Sequence, residues 1–77
     1  MEIKKSTVKK INASISILKN KQKMYENSGF KYKGVKLTYS DTDTIISYLN
    51  RYKDTGGYLG LMEPCGGVKQ ILDSVVS

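Results

Sequence analysis

The sequence has 77 residues, with 13 Lys and Arg against 7 Asp and Glu, no histidine and one cysteine. A chain of this length forms at most one domain, here residues 1–77, and its core is thin. One cysteine without histidine excludes an internal disulfide and the usual zinc site, so we expect no metal and no cofactor.

The positive charge is concentrated in the N-terminal half. Residues 1–40 carry ten lysines against two acidic residues, whereas residues 41–77 carry three basic and five acidic residues. Clustered ammonium groups attract polyanions and speed encounters with them. The basic half lacks arginine, the residue best suited to bidentate recognition of bases, so sequence-specific readout is not expected. The alternative is a solvated face that only keeps a small protein soluble.

No membrane-spanning segment is expected. The apolar stretch at residues 13–18 is interrupted by serine, and no apolar run approaches the roughly 20 residues that a membrane span needs. A single free thiol agrees with a reducing compartment. We therefore expect a cytoplasmic protein.

The first predicted element is a long helix over residues 6–27. Apolar residues recur at steps of three and four from Val8 to Tyr25, Ser6 is the expected N-cap, and Gly29 is free to adopt the left-handed conformation after the helix ends. The regular stripe also leaves open a homodimer seam. Away from the stripe we expect a lysine face, which consists of Lys9, Lys10, Lys19, Lys21 and Lys23.

The hydrophobic period changes from 3.6 to 2 at Phe30, which predicts a β-hairpin with Lys33-Gly34 as its two-residue turn. Lys31, Lys36 and Thr38 are then expected on its outer face, where the two lysines extend the basic surface. Because an isolated hairpin is marginal in water, its inner face should pack on helices. The residues expected on the inner face are Phe30, Tyr32, Val35, Leu37 and Tyr39.

A second helix is predicted over residues 41–54, with Ser40 or Asp41 as N-cap, Asp43 in the first turn and Gly56-Gly57 at its end. Capping explains the two aspartates better than Mg²⁺ binding does. The expected inner residues are Ile45, Leu49 and Tyr52, flanked by Ile46 and Tyr48.

Tyr48 and Arg51 form a second candidate site. They lie one turn apart at the margin of the stripe of the second predicted helix. Tyrosine and arginine are enriched at protein interfaces, which favours a partner-binding edge. A solvated rim explains the pair equally well.

The C-terminal third predicts a short apolar segment and a third helix. Residues 58–62 are apolar but contain Gly60, which is compatible with a third strand or a packed loop. Pro64 suits the first turn of a helix whose inner residues are Val68, Ile71, Leu72, Val75 and Val76. Because no histidine is present to activate a thiol, Cys65 is expected to be a buried or half-buried hydrophobe and not a nucleophile. The order of elements predicts an α+β domain.

These patterns contain no catalytic motif, and we expect a non-catalytic binding protein, an accessory factor of the phage or mobile-element type. Its lysine-rich surface would engage nucleic acid or a nucleoprotein complex such as a host nuclease. The alternative is a protein–protein adaptor or host-enzyme inhibitor, including a phage structural joining protein. That protein would bind through the Tyr48 and Arg51 edge without touching nucleic acid.

Overall fold

The computed structural model describes residues 4–76, which form three helices and a two-stranded antiparallel hairpin. The predicted α+β class and the order helix, hairpin, helix, helix are confirmed. None of the helices in the described part is long and apolar enough to cross a bilayer. The elements are α1 (Lys5–Met24), β1 (Phe30–Tyr32), β2 (Val35–Leu37), α2 (Tyr39–Thr55) and α3 (Gly66–Val76).

The core lies between the three helices, which pack pairwise, and β2 packs against α2 and α3. The apolar stripe of α1 is buried there, so any homodimer would have to use a different surface. Tyr32, Tyr48 and Tyr52 are partly buried against this core. The buried apolar residues are Ile11, Ile15, Leu18, Leu37, Ile45, Ile46, Leu49, Ile71, Leu72 and Val75.

The ends of α1 differ from the prediction. Its N-cap is Lys4, because the carbonyl of Lys4 accepts the first helical hydrogen bond, from the N–H of Val8 at 3.1 Å. Ser6 therefore lies inside the helix. Lysine has no side-chain acceptor, so Lys4 makes no side-chain capping bond. Tyr25, expected on the stripe, follows the last helical residue and is 39% exposed. Gly29 has φ +74, and a Cβ there would lie 2.6 Å from the backbone oxygen of Leu37, so the expected left-handed glycine is confirmed.

The hairpin has the predicted register, which pairs Phe30 with Leu37, Lys31 with Lys36 and Tyr32 with Val35. Burial confirms the two faces, since Leu37 is 1% exposed whereas both lysines are exposed. Lys33 and Gly34 have φ of 51° and 81°, the left-handed pair that a type I′ turn requires. Tyr39 was wrongly expected on the inner face, because it is the first residue of α2 and is 50% exposed.

α2 begins two residues earlier than predicted because Thr38 is its N-cap, so the expected caps Ser40 and Asp41 are wrong. Thr38 and Asp41 form a capping box. The N–H of Asp41 donates to Thr38 Oγ1, and the N–H of Thr38 donates to the carboxylate of Asp41, both at 3.2 Å. Asp43 consequently lies beyond the first turn. The helix ends as predicted at Gly56, which has φ 77.

α3 begins at Gly66, so Pro64 lies before the helix and not in its first turn. The φ of +61 at Gly66 prevents a regular helix from extending back to Pro64. Cys65 lies in this connection and is exposed, which makes the expected buried role wrong. Gly67 explains the close packing of α3 on the hairpin, because a Cβ there would lie 2.6 Å from Val35 Cγ1. Residues 58–62 form a loop and not a third strand.

Candidate functional site

The lysines of α1 lie on two sides of the helix. Asn12 marks one side, because its Oδ1 accepts from Lys53 Nζ of α2 at 3.4 Å. At about 100° per residue, Lys19 and Lys23 lie within about 20° of Asn12 and Lys9 within about 60°. We call Lys9, Lys19 and Lys23 the α2-side lysines. All three are exposed.

Lys10 and Lys21 lie on the opposite side of α1, which faces the hairpin. The Tyr32 hydroxyl donates to Ser14 Oγ on this side at 3.4 Å. Lys21 Nζ lies 5.9 Å from the centroids of both the Tyr25 and Phe30 rings, a cation–π arrangement that connects α1 to β1. We call Lys10, Lys21, Lys31, Lys33 and Lys36 the hairpin-side lysines.

Lys31 and Lys36 are direct partners on the exposed face of the hairpin. In a hairpin closed by a two-residue turn, the second pair from the turn is not hydrogen-bonded, and its side chains are closer than those of the adjacent pairs. Like charges at directly opposite positions destabilise a sheet. Residues 30–37 contain three lysines and no acidic residue, so nothing within the hairpin sequence neutralises this repulsion.

Lys33 adds a third cation at the tip. Its φ of 51° places it in the left-handed region, where a residue with a Cβ costs roughly 1–2 kcal/mol and where hairpin turns usually have Asn, Asp or Gly. Its Nζ lies 5.5 Å from the centroid of the Tyr32 ring. The sequence had indicated Lys33 as a turn residue, but the conformation at this position was not predicted.

Tyr48, the other candidate site residue, holds a loop in place. Its hydroxyl donates to the carbonyl oxygen of Met62 at 2.7 Å. The Tyr58 ring lies edge-on to Tyr48, with centroids 5.3 Å apart, and 5.5 Å from the Tyr52 ring. Burial, reinforced by the nearby Tyr52, Asp73 and Tyr48, raises the pKa of Tyr58 to about 12. These contacts explain Tyr48 without a partner.

Arg51 is exposed on the same helix. The loop that Tyr48 holds exposes apolar side chains, since Leu59 is 75% and Met62 84% exposed. Together with Leu61 they form what we call the loop patch. Sequence reasoning did not foresee that Tyr58 would join Tyr48 and Tyr52. Two features of the sequence indicate this cluster. Tyr48 and Tyr52 are four residues apart and so share one face of the helix, and the Gly56-Gly57 turn brings the following residue, Tyr58, back toward them.

Residues that could form a metal site do not cluster in the described part of the chain. Within residues 4–76, no three Cys, Asp or Glu side chains lie together in an arrangement that could hold an ion. The carboxylate of Asp41 already accepts a capping hydrogen bond. Cationic side chains do lie together at the hairpin, where Lys31 and Lys36 are direct partners and Lys33 is in the turn.

Comparison with known proteins adds no relatives. The chain matches no protein-family model, no curated protein and no solved structure.

Proposed function

We propose that this protein is a small non-catalytic binding protein that engages the phosphate backbone of a nucleic acid, either free or within a nucleoprotein complex. The contact is made by the exposed hairpin lysines Lys31, Lys33 and Lys36. The proposal locates the protein in the cytoplasm, where the exposed thiol of Cys65 stays reduced.

The observation that carries this proposal is the direct pairing of Lys31 with Lys36 beside a left-handed Lys33. Both features lower stability, by about 0.2–1 kcal/mol for the like-charged pair and roughly 1–2 kcal/mol for the backbone conformation. Strain of this kind in an exposed tip supports a functional role. A polyanion laid across the hairpin would convert the repulsion into attraction for both lysines.

Lysine chemistry defines what the contact can do. An ammonium group binds phosphate as a point charge and carries no base specificity, so the affinity follows charge and not sequence. Lys10 of α1 lines the same groove as Lys33 and broadens the cationic surface next to the tip, whereas Lys21 lies over Phe30 at the other end of the hairpin. The α2-side lysines lie on the other side of α1 and are assigned to solvation.

Binding of labelled DNA measured by fluorescence anisotropy tests the proposal. Three phosphate contacts predict a slope of log K against log salt of about −2.7 on duplex DNA, which is roughly a 40-fold loss of affinity between 50 and 200 mM salt. Two duplexes of unrelated sequence should bind equally. Affinity that does not change with salt, or that depends strongly on sequence, would contradict the proposal.

A second candidate function is the protein–protein adaptor or inhibitor, which the loop patch favours. Leu59, Leu61 and Met62 expose apolar surface, and contiguous exposed apolar groups are typical of protein contacts. A pull-down from lysate, with and without nuclease treatment, separates the two functions. Partners that disappear after nuclease treatment support nucleic-acid binding. Partners that remain, and that a Met62→Asp variant no longer captures, support the adaptor.

A further inference from the structure

An open groove of about 350 Å³ lies between α1, the tip of the hairpin and the C-terminal part of α3. Its volume is at the lower end of the roughly 300–1,000 Å³ typical of small-molecule sites. The groove adjoins the hairpin turn, because Tyr32 and Lys33 both line it. It therefore adjoins the surface assigned to phosphate binding and shares Lys33 with it.

One wall of the groove is apolar. Ala13 and Ile17 line it from α1, and Val75 lines it from α3. Ile17 is 45% exposed, so a large part of its side chain is open to a ligand in the groove. A phosphate or another small inorganic anion makes no favourable contact with an apolar wall of this kind. It favours a ligand that has a flat or bulky apolar part.

The remaining lining is polar and cationic. Hydroxyl groups come from Ser14, Tyr32 and Ser74, and two lysines, Lys10 and Lys33, complete the lining. Because the Tyr32 hydroxyl donates to Ser14 Oγ, it can accept from the edge of a ligand, whereas the exposed Ser74 hydroxyl can donate or accept. The lysines favour negative charge. The ligand that matches all three features has an apolar face, a polar edge and an anionic group.

We propose that this groove holds one unpaired nucleotide of the bound strand, with its base on Ala13 and Ile17, above the buried Val75, and its phosphate beside Lys33. This inference rests on the proposed function and deepens it, because it specifies single-stranded nucleic acid. Bases within a duplex are stacked and paired, so only an unpaired base can enter a groove.

The test is an NMR titration of ¹⁵N-labelled protein with thymidine 5′-monophosphate, and in parallel with thymidine and with inorganic phosphate. The monophosphate should shift the amide signals of Ser14, Ile17 and Ser74 and should bind at least roughly fivefold more tightly than either fragment. Absence of shifts in the groove would overturn the inference. Equal shifts with inorganic phosphate would also overturn it, because they would indicate an anion site only.

A groove-filling variant with a matched control completes the test. Ala13→Leu should weaken binding of the monophosphate and of a single-stranded oligonucleotide by roughly fivefold or more, while duplex affinity stays unchanged. Ser16→Leu adds the same side chain to an exposed position of α1 outside the groove and should change neither.

The two proposals fail in different ways. If duplex DNA binds but Ala13→Leu loses nothing on single strands, the groove inference alone is overturned. If a single-stranded oligonucleotide binds and Ala13→Leu weakens it, but its affinity does not change with salt, the groove is supported and the hairpin proposal is overturned.

Discussion

Charge reversal at Lys36 should stabilise the protein while weakening its binding to nucleic acid. The Lys36→Glu substitution converts the repulsive pair with Lys31 into an attractive one at the same register position. At a separation of about 7 Å in a water-like dielectric, each interaction amounts to about 0.6 kcal/mol, so the swing is about 1 kcal/mol. This agrees with the range of about 0.2–1 kcal/mol measured for cross-strand pairs. The pair is exposed, so salt should reduce the gain.

The gain should appear as a rise in Tm of about 4–8 °C for a domain of this size. Thermal unfolding at low salt would measure this rise for Lys36→Glu, and the same measurement should be made on Lys31→Glu and on the variant with both charges reversed. The double variant restores a like-charged pair, so the gain should disappear. Wild type, the two single variants and the double variant form a double-mutant cycle, which separates the pairwise interaction from the effect of net charge. A coupling free energy of zero would mean that the two side chains do not interact.

Anisotropy on the same proteins should show roughly tenfold weaker DNA binding by Lys36→Glu. Unchanged binding would refute the functional argument.

The other predictions concern the core, the contact of α3 with the hairpin, and pH. Leu37→Ala should cost about 2–5 kcal/mol in chemical denaturation because the side chain is 1% exposed, whereas Lys31→Ala, which removes the repulsion with Lys36, should raise stability by only about 0.6 kcal/mol. Gly67→Ala should destabilise despite the better helix propensity of alanine, because its Cβ would meet Val35 Cγ1; Val35→Ala in the same chain should recover most of the loss. The raised pKa of Tyr58 means that the folded state holds this proton more tightly than the unfolded state, whose pKa is about 10. Its stabilising effect is therefore complete below pH 10 and is lost between pH 10 and 12, so the stability difference between wild type and Tyr58→Phe should change only in that interval.

The elements and the hairpin register could be predicted from the sequence because they depend on local patterns. The alternation from Phe30 to Leu37 about a Lys-Gly turn has one register that places every apolar residue on the same face, and the structure has that register. The apolar stripes of α2 and α3 likewise gave the buried Ile45, Leu49, Ile71 and Leu72. In each case the position of the apolar residues on one face of a helix or strand determines which side chains face the core.

The ends of the elements and the grouping of side chains depend on contacts that the sequence does not show. Ser40 and Asp41 are acceptable caps in isolation, and Thr38 displaces them because its side chain and that of Asp41 form the two halves of a capping box. The division of the α1 lysines between two sides follows from where α2 and the hairpin pack on the helix. The same packing creates the groove between Ile17 and Val75, residues 58 positions apart in the chain.

The most direct test of the proposed function is the salt dependence of duplex DNA binding after neutralisation of the hairpin pair. If Lys31 and Lys36 each contact a phosphate, Lys31→Gln with Lys36→Gln should make the slope of log K against log salt less negative by about 1.8. The matched control is Lys9→Gln with Lys23→Gln, which removes the same charge from the α2 side of α1 and should leave the slope unchanged. An unchanged slope in the hairpin variant, or an equal change in the control, would contradict the assignment of the hairpin as the contact surface.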